Sequence, residues 1–256
     1  MIGAASGAEL TAERPRIGLV IPVLNEEEAI PHVLANVPPN AVDEIVVVDG
    51  GSTDRTAERA AAAGARVIVE PRPGYGRACL AGACAAGKTC AVVVFLDGDG
   101  SDCPERIPDL VAPILAGKCD FVVGSRSRGE REPGSMSAHQ LVAGYAIGGV
   151  LRLLYGARYT DMGPFRAIGR DALFRLGMRE MTYGWNLEMQ MRAARAGLRV
   201  FELPVPHRRR VGGASKVSGT VAGTMRAGLR ILLTLARVAL ERQGPAHVGA
   251  RGREGP

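Results

Sequence analysis

Short runs of β-branched and aliphatic residues recur along the first half of the chain: Ile17 to Val23 (IGLVIPV), Ile45 to Val48 (IVVV), Arg66 to Glu70 (RVIVE), Ala91 to Leu96 (AVVVFL) and Phe121 to Val123. Each is too short for a helix and almost continuously apolar, which predicts strands buried on both faces. Between them lie Glu26 to Val37, Thr53 to Ala63, Gly74 to Ala86 and Ile107 to Ala116, long enough and rich enough in alanine or leucine to predict helices. This alternation predicts βαβ units with right-handed crossovers, and so an α/β, Rossmann-like, mostly parallel sheet flanked by helices. Ligands of such sheets bind beyond the carboxyl ends of the strands.

From about residue 125 the alternation fades. The charged, glycine-bearing stretch Ser125 to Gln140 (SRSRGEREPGSMSAHQ) reads as a mobile loop. Beyond it the pattern predicts a helix over Leu141 to Tyr155, a strand near Phe165 to Ile168, helices near Asp171 to Met178 and Leu187 to Ala196, and a strand near Arg199 to Leu203. In the stretch Val221 to Arg242, apolar Val221, Met225, Leu229, Leu232, Leu233, Ala236 and Leu240 recur at helical spacing, with Arg226, Arg230 and Arg237 together on the opposite side. Such a basic amphipathic helix either lies in a membrane interface or packs on the domain. The organisation expected is an extension over 1–15, one large domain over 16–220, this helix over 221–243 and a disordered tail over 244–256, with no internal repeat.

Hydrophobic residues make up 46% of the chain and charged residues 23%, which excludes a disordered protein. Of the 32 basic residues all but Lys88, Lys118 and Lys216 are arginine, and against 26 acidic residues they give a net charge of +6. Guanidinium meets phosphate in a bidentate geometry, so the excess suits a phosphate-bearing substrate, and it equally suits a genome rich in G and C. Five cysteines without paired zinc spacing fit the reduced thiols of a cytosolic protein. Neither a signal peptide nor the roughly 20 apolar residues of a spanning helix is evident. The expected location is cytoplasmic, with peripheral attachment to the inner face of the membrane if the last helix binds lipid.

Chemistry concentrates where the early strands end: Asn25 with Glu26, Asp49 with Ser52 and Asp54, and Asp97 with Asp99. In a parallel sheet these positions are neighbours. Helix capping is the plain alternative for Asp49, Ser52 and Asp54. FLDGDGSDCPE places two carboxylates two residues apart among glycines, which suits a hard divalent cation such as Mg²⁺ that keeps few protein ligands. A calcium loop of the EF-hand type would need a glutamate twelfth from Asp97, where Pro108 stands.

Four segments together, VIPVLNEEEAI (Val20 to Ile30), VVDGGSTDRT (Val47 to Thr56), FLDGDGSDCPE (Phe95 to Glu105) and VVGSR (Val122 to Arg126), resemble the family 2 glycosyltransferases of GT-A fold in order and spacing. TDMGPFRAI (Thr160 to Ile168), YGWNLEMQ (Tyr183 to Gln190) and PHRRRVGGASKVSGT (Pro206 to Thr220) are similar to the dolichyl- and polyprenyl-phosphate mannosyl and glucosyl synthase branch. The resemblance implies that Pro22, Asn25, Glu26, Asp49 and Ser52 surround a nucleotide, that Asp97 lies near its base or ribose, and that Asp99 holds Mg²⁺ or Mn²⁺ on the diphosphate. The branch often carries a glutamine where this chain has Ser101. By position, Arg126 matches the family's arginine after the strand, and Arg208 or Arg209 with Ser215 and Lys216 matches its loop over the diphosphate. Gly212 and Gly213 would let that loop close on substrate.

The resemblance implies a metal-dependent, inverting glycosyltransferase moving a sugar from a nucleoside-diphosphate sugar of UDP-glucose or GDP-mannose type to a polyprenyl phosphate or related lipid acceptor, in the synthesis of a cell-envelope glycan or glycolipid. Departure of a nucleoside diphosphate develops negative charge that a metal and positioned Arg or Lys stabilise. Glu188 begins a predicted helix and would be the general base if the acceptor were a hydroxyl, the alternative reading. A catalytically inactive basic binding protein of the same fold is a further alternative. No nucleic-acid partner is expected. Residues Gly82 to Thr89 (GACAAGKT) spell a P-loop, but a helical stretch precedes and a strand follows, the reverse of the order that aims amides at phosphate. His32, His139, His207 and His247 show no ligand spacing, and Trp185 fits either a core or an acceptor platform.

Overall fold

The computed structural model describes residues 14–86, 90–212 and 221–241. Its strands are β1 (Arg16–Val23), β2 (Glu44–Asp49), β3 (Arg66–Val69), β4 (Cys90–Phe95), β5 (Phe121–Ser125), β6 (Arg166–Gly169) and β7 (Val200–Pro204), and they form one sheet in the order β3-β2-β1-β4-β6-β5-β7. The first four are parallel, as the alternation with α1 (Ile30–Ala35), α2 (Thr56–Ala62) and α3 (Tyr75–Ala85) requires. After α4 (Ile107–Leu115) and β5 the chain runs through α5 (Ala138–Tyr155) before β6 enters antiparallel between β4 and β5. The remaining helices are α6 (Arg170–Arg175), α7 (Trp185–Arg195) and α8 (Val221–Leu240).

The continuous apolar runs are explained by cover on both faces. Leu19, Ile21, Val47 and Val94 point to the layer holding α1 and α4, while Val20, Val46, Val48, Val93 and Phe95 point to the layer holding α3 and α7. Gly82 sits in α3 directly over the sheet, where a Cβ would clash with Val20 and Val48, so glycine sets the closeness of helix and sheet here. That is its role in the P-loop look-alike: α3 precedes β4, and Gly87 to Thr89 lie outside the described residues. Trp185 belongs to the core, fully buried with its ring edge-on to Phe95 at 6.4 Å.

Differences from the sequence expectation have local causes. Only Ile30–Ala35 of the first predicted helix forms, because Glu26 to Ala29 are used in turns at the strand end. The stretch expected to be a mobile loop is tied to the domain by pairing of Arg131 with His207 and by the Glu132 N–H donating to the His207 carbonyl at 2.9 Å. α5 starts at Ala138 because the Gln140 side chain accepts the Ser137 N–H at 2.9 Å, half of a capping box. On α8 the expected faces are rearranged. Ala227, Thr234 and Val238 are buried with Ile231 and Leu235 packed beside them, while Met225, Leu229, Leu232, Leu233 and Leu240 are exposed, and Arg237 turns inward. Residues 1–13 and 242–256, which include all but the last two residues of the expected extension and the whole of the tail, lie outside the described residues.

Candidate active site

The loops after β1 and β2 are stitched together at the sheet's carboxyl edge. Asn25 adopts a left-handed φ of 51°, a conformation its short amide tolerates, and this aims its Oδ1 at the Thr53 N–H 2.8 Å away. Its own N–H donates to Ser52 Oγ at 2.9 Å, and Ser52 in turn donates its N–H and hydroxyl to Asp49 Oδ1 at 3.0 and 2.5 Å. Asp49 thus accepts from the loop and caps no helix. Asn25, Asp49 and Ser52 shape the wall from behind, whereas Pro22, Glu26, Asp97 and Asp99 themselves line a cleft of about 240 Å³, together with Leu24, Pro73, Tyr75 and Tyr183.

Three carboxylates crowd the end of β4. Asp97 has an Oδ1 sealed from solvent without a hydrogen-bond partner among the described residues. Burial, with Asp99 and Asp102 adding like charge, pushes its carboxyl well above the usual range. Asp102 is buried and pushed up to about 7, burial outweighing the Asp97 N–H that its Oδ2 accepts at 3.1 Å. Asp99 Oδ1 accepts the Ser101 N–H and hydroxyl at 2.9 and 2.6 Å, so Ser101 orients the carboxylate in the position where the family often has glutamine. Crowded hard oxygens of this kind fit Mg²⁺ or Mn²⁺, which would relieve the mutual repulsion. Among the described residues no group of three His, Cys, Asp or Glu could hold an ion alone, so water and substrate phosphate would complete its shell.

The chain following β7 is pinned against this loop. The Arg208 N–H donates to the Ser101 carbonyl and the Val211 N–H to the Asp99 carbonyl, each at 2.9 Å. This register decides among the three arginines. Arg208 turns out to Glu105 at 2.6 Å, and Arg209 donates to the Pro133 carbonyl at 2.6 Å. Arg210 turns in, 2.7 Å from Glu26 and 3.2 Å from Asp99 Oδ2. The cation beside the Asp99 carboxylate is therefore Arg210, a choice the sequence left open among Arg208, Arg209 and Arg210. Ser215 and Lys216 lie outside the described residues.

A wider cavity of about 600 Å³ adjoins the first, sharing Tyr75, Asp97, Asp99, Tyr183 and Arg210. Ser137, His139 and Gln140 at the start of α5, Asn186 on α7, His207 and Arg209 line its far side, and Ala227 and Ile231 of α8 close it. The sequence offered no signal for His139, Asn186 or His207, since each is brought in by an element remote from the aspartates. His207 Nδ1 stands 4.0 Å from Asp102. Burial, helped by the Arg126 charge, pushes its imidazole down to about 4, so the pair is not ionic at neutral pH.

Two expected site residues line neither cavity. Arg126 is clasped by Asp161 through two 2.8 Å hydrogen bonds, and its backbone N–H donates to the same carboxylate at 2.8 Å. Asp161 is held below the usual carboxylate range because Arg126 overcomes the effect of burial. This pair fixes the Thr160 segment to β5, and the Arg126 charge also acts on Asp97 and Asp102. Glu188 is fully buried, away from both cavities: Oε2 accepts the Arg179 and Glu180 N–H groups at 2.8 and 2.6 Å, and Oε1 accepts from Arg192 at 2.9 Å and Arg237 at 3.1 Å. It ties α7 to α8 and lines neither cavity.

A mostly parallel seven-stranded sheet with an antiparallel insertion, carrying paired aspartates and an inward arginine at its carboxyl edge, defines a glycosyltransferase of GT-A fold. Residues 19–182 match the profile of Glycosyl transferase family 2. The chain is 42% identical over 211 residues to an uncharacterised glycosyltransferase of Mycobacterium tuberculosis, covering 82% of this chain and 93% of that one. It is 32% identical over 225 residues to the undecaprenyl-phosphate mannosyltransferase of Micrococcus luteus, covering 81% and 90%. Its fold is similar to that of glucosyl-3-phosphoglycerate synthase from M. tuberculosis, solved with Mn²⁺, UDP and glucosyl-3-phosphoglycerate, with a TM-score of 0.70, 25% identity, and 90% and 82% of the two chains covered. The chain belongs to glycosyltransferase family 2, and it is a glycosyltransferase.

Proposed function

We propose that the protein transfers a hexose from a nucleoside-diphosphate sugar, of UDP-glucose or GDP-mannose type, to a polyprenyl phosphate or related lipid phosphate, with inversion, at a membrane surface. One observation carries the acceptor. The wide cavity beside Asp97 and Asp99 is lined by His139, His207, Arg209 and Arg210, and apart from those two aspartates no carboxylate lines it among the described residues. A hydroxyl acceptor loses a proton during attack and gains roughly 10²- to 10⁴-fold from a positioned base. A phosphate monoester, with a second pKa of about 6, is already largely ionised and needs none. The relationship to the undecaprenyl-phosphate mannosyltransferase supports the same reading.

In this scheme the narrow cleft takes the nucleotide, its planar base against Pro22, Leu24 and Pro73 and its ribose near Asp97. Asp99, with Asp97 behind it, would hold Mg²⁺ or Mn²⁺, which supplies positive charge to the diphosphate. Arg210 leaves Glu26 and Asp99 to meet the same phosphates. An acceptor phosphate oxygen forms the bond to the anomeric carbon as the bond to the diphosphate breaks, and Arg209, His139 and Asn186 orient that acceptor.

Asp99→Asn tests the scheme by two readouts. Transfer should fall on the order of a hundredfold or more, as for removal of one electrostatic stabiliser. Stabilisation by Mn²⁺ with UDP in a thermal melt should disappear. Transfer to a phosphorylated soluble hydroxyl acceptor such as phosphoglycerate, with none to a polyprenyl phosphate, would replace the acceptor; unchanged rates in Asp99→Asn would overturn the metal site.

A further inference from the structure

Helix α8 presents two apolar faces. The inner one, with Ala227, Thr234 and Val238, is buried against the domain. Met225, Leu229, Leu232 and Leu240 form the outer one and are 58–81% exposed. A row of exposed apolar side chains along one helix face suits an interaction site. Charge along the helix is of one sign only, since Val221–Leu240 contains arginines and no acidic residue.

Part of the arginine flank of α8 borders a cavity. Arg230 and Arg237, with Leu233 between them, form one wall of a cavity of about 320 Å³ whose other walls are Arg77 on α3 and the 179–182 loop carrying Arg179. This cavity is separate from the two described above. Its one carboxylate, Glu180, is already engaged: it accepts from Thr182 and Thr234 and lies 3.5 Å from Arg237. Neither Arg77 nor Arg230 has an ion-pair partner among the described residues, and Arg77 Nε is sealed from water with no hydrogen-bond partner. Guanidinium groups left unpaired around a cavity of this size suit a phosphate group. Apolar side chains directly beside them suit what a phospholipid attaches to that phosphate, which selects a lipid over a free anion. Among the described residues no helix is long and apolar enough to cross a membrane, so contact would be along the surface.

We propose that this cavity seats the phosphate of an anionic phospholipid, with Arg77 and Arg230 around the headgroup and the outer face of α8 among the acyl chains. The inference deepens the membrane half of the proposed function and is independent of the acceptor. It also orients the enzyme, because Ala227 and Ile231 of the same helix close the acceptor cavity.

The test is flotation of the full chain with phosphatidylcholine vesicles, with and without phosphatidylglycerol. The wild type should bind the anionic vesicles more tightly. Arg77→Ala with Arg230→Ala should weaken that binding by about twenty-fivefold, each arginine contributing roughly fivefold, and leave binding to neutral vesicles unchanged. Leu229→Ser with Leu232→Ser should weaken binding to both. Transfer to a polyprenyl phosphate in detergent should be intact in the double arginine variant, so failure of the acceptor reading appears in that assay alone. Anionic flotation unaffected by loss of both arginines overturns the headgroup site, as does stabilisation of the protein by inorganic phosphate without vesicle binding. A wild-type dimer abolished by the leucine changes, with no vesicle binding, would assign the face to a second copy.

Discussion

Glu188→Gln separates a structural role from a catalytic one. The native carboxylate is fully buried and accepts four donors, two backbone N–H groups on one oxygen and the Arg192 and Arg237 guanidiniums on the other. A glutamine keeps the volume and one accepting oxygen. If that oxygen serves the Arg179 and Glu180 N–H groups, the amide NH₂ faces two guanidiniums. Arg192 retains Glu241 at 3.0 Å and Arg237 retains Glu180 at 3.5 Å, so both charges keep a partner. The loss is then below the roughly 3–5 kcal/mol of a buried pair stripped of one member, and about 2–3 kcal/mol is expected. For a domain of this size that is a fall in melting temperature of roughly 4–12 °C. Differential scanning calorimetry measures it, and single-turnover transfer measured well below the new melting temperature should stay within about tenfold of wild type. An unchanged melt with a several-hundredfold loss of rate would refute this reasoning and make Glu188 a base after all.

The choice among the arginines gives a second prediction: Arg210→Ala should lower kcat by on the order of a hundredfold, while Arg208→Ala, whose guanidinium pairs with Glu105 at the surface, should stay near wild type in steady-state kinetics. A third concerns pH. The Asp102 carboxyl is raised to about 7 in the folded protein against an unfolded value near 3.8, so its contribution to stability is full below the unfolded value and is lost as pH rises through about 7. Metal-free protein should therefore lose stability across that window in chemical denaturation. Asp102→Asn, whose amide can accept the Asp97 N–H and donate toward the bare His207 Nδ1, should flatten the slope, and an unaltered slope would exclude Asp102 as its source.

Sequence alone determined what depends on local pattern. Apolar runs of strand length separated by helical stretches specify the parallel half of the sheet, because each run buries both its faces whatever its neighbours. Strand ends could then be read directly, and Pro22, Glu26, Asp97 and Asp99 do line one cleft. Tertiary structure decided whatever depends on which distant segments meet. The antiparallel entry of β6 between β4 and β5 follows from the path through α5, which no local propensity encodes. Arg210 faces Asp99, and Arg208 does not, because the 207–211 segment hydrogen-bonds to Ser101 and Asp99 in one register. Arg126 and Glu188 carry charges suited to catalysis, yet Asp161, 35 residues away in one case, and Arg237, 49 away in the other, turn them into clasps. On α8 two apolar stripes compete for the domain, and Ala227 and Val238 pack inward with Ile231 and Leu235 while Leu229, Leu232, Leu233 and Leu240 stay outside, because only one stripe can face α7 and the core. A charge or an apolar side chain is legible in one dimension; its partner is a property of the folded chain.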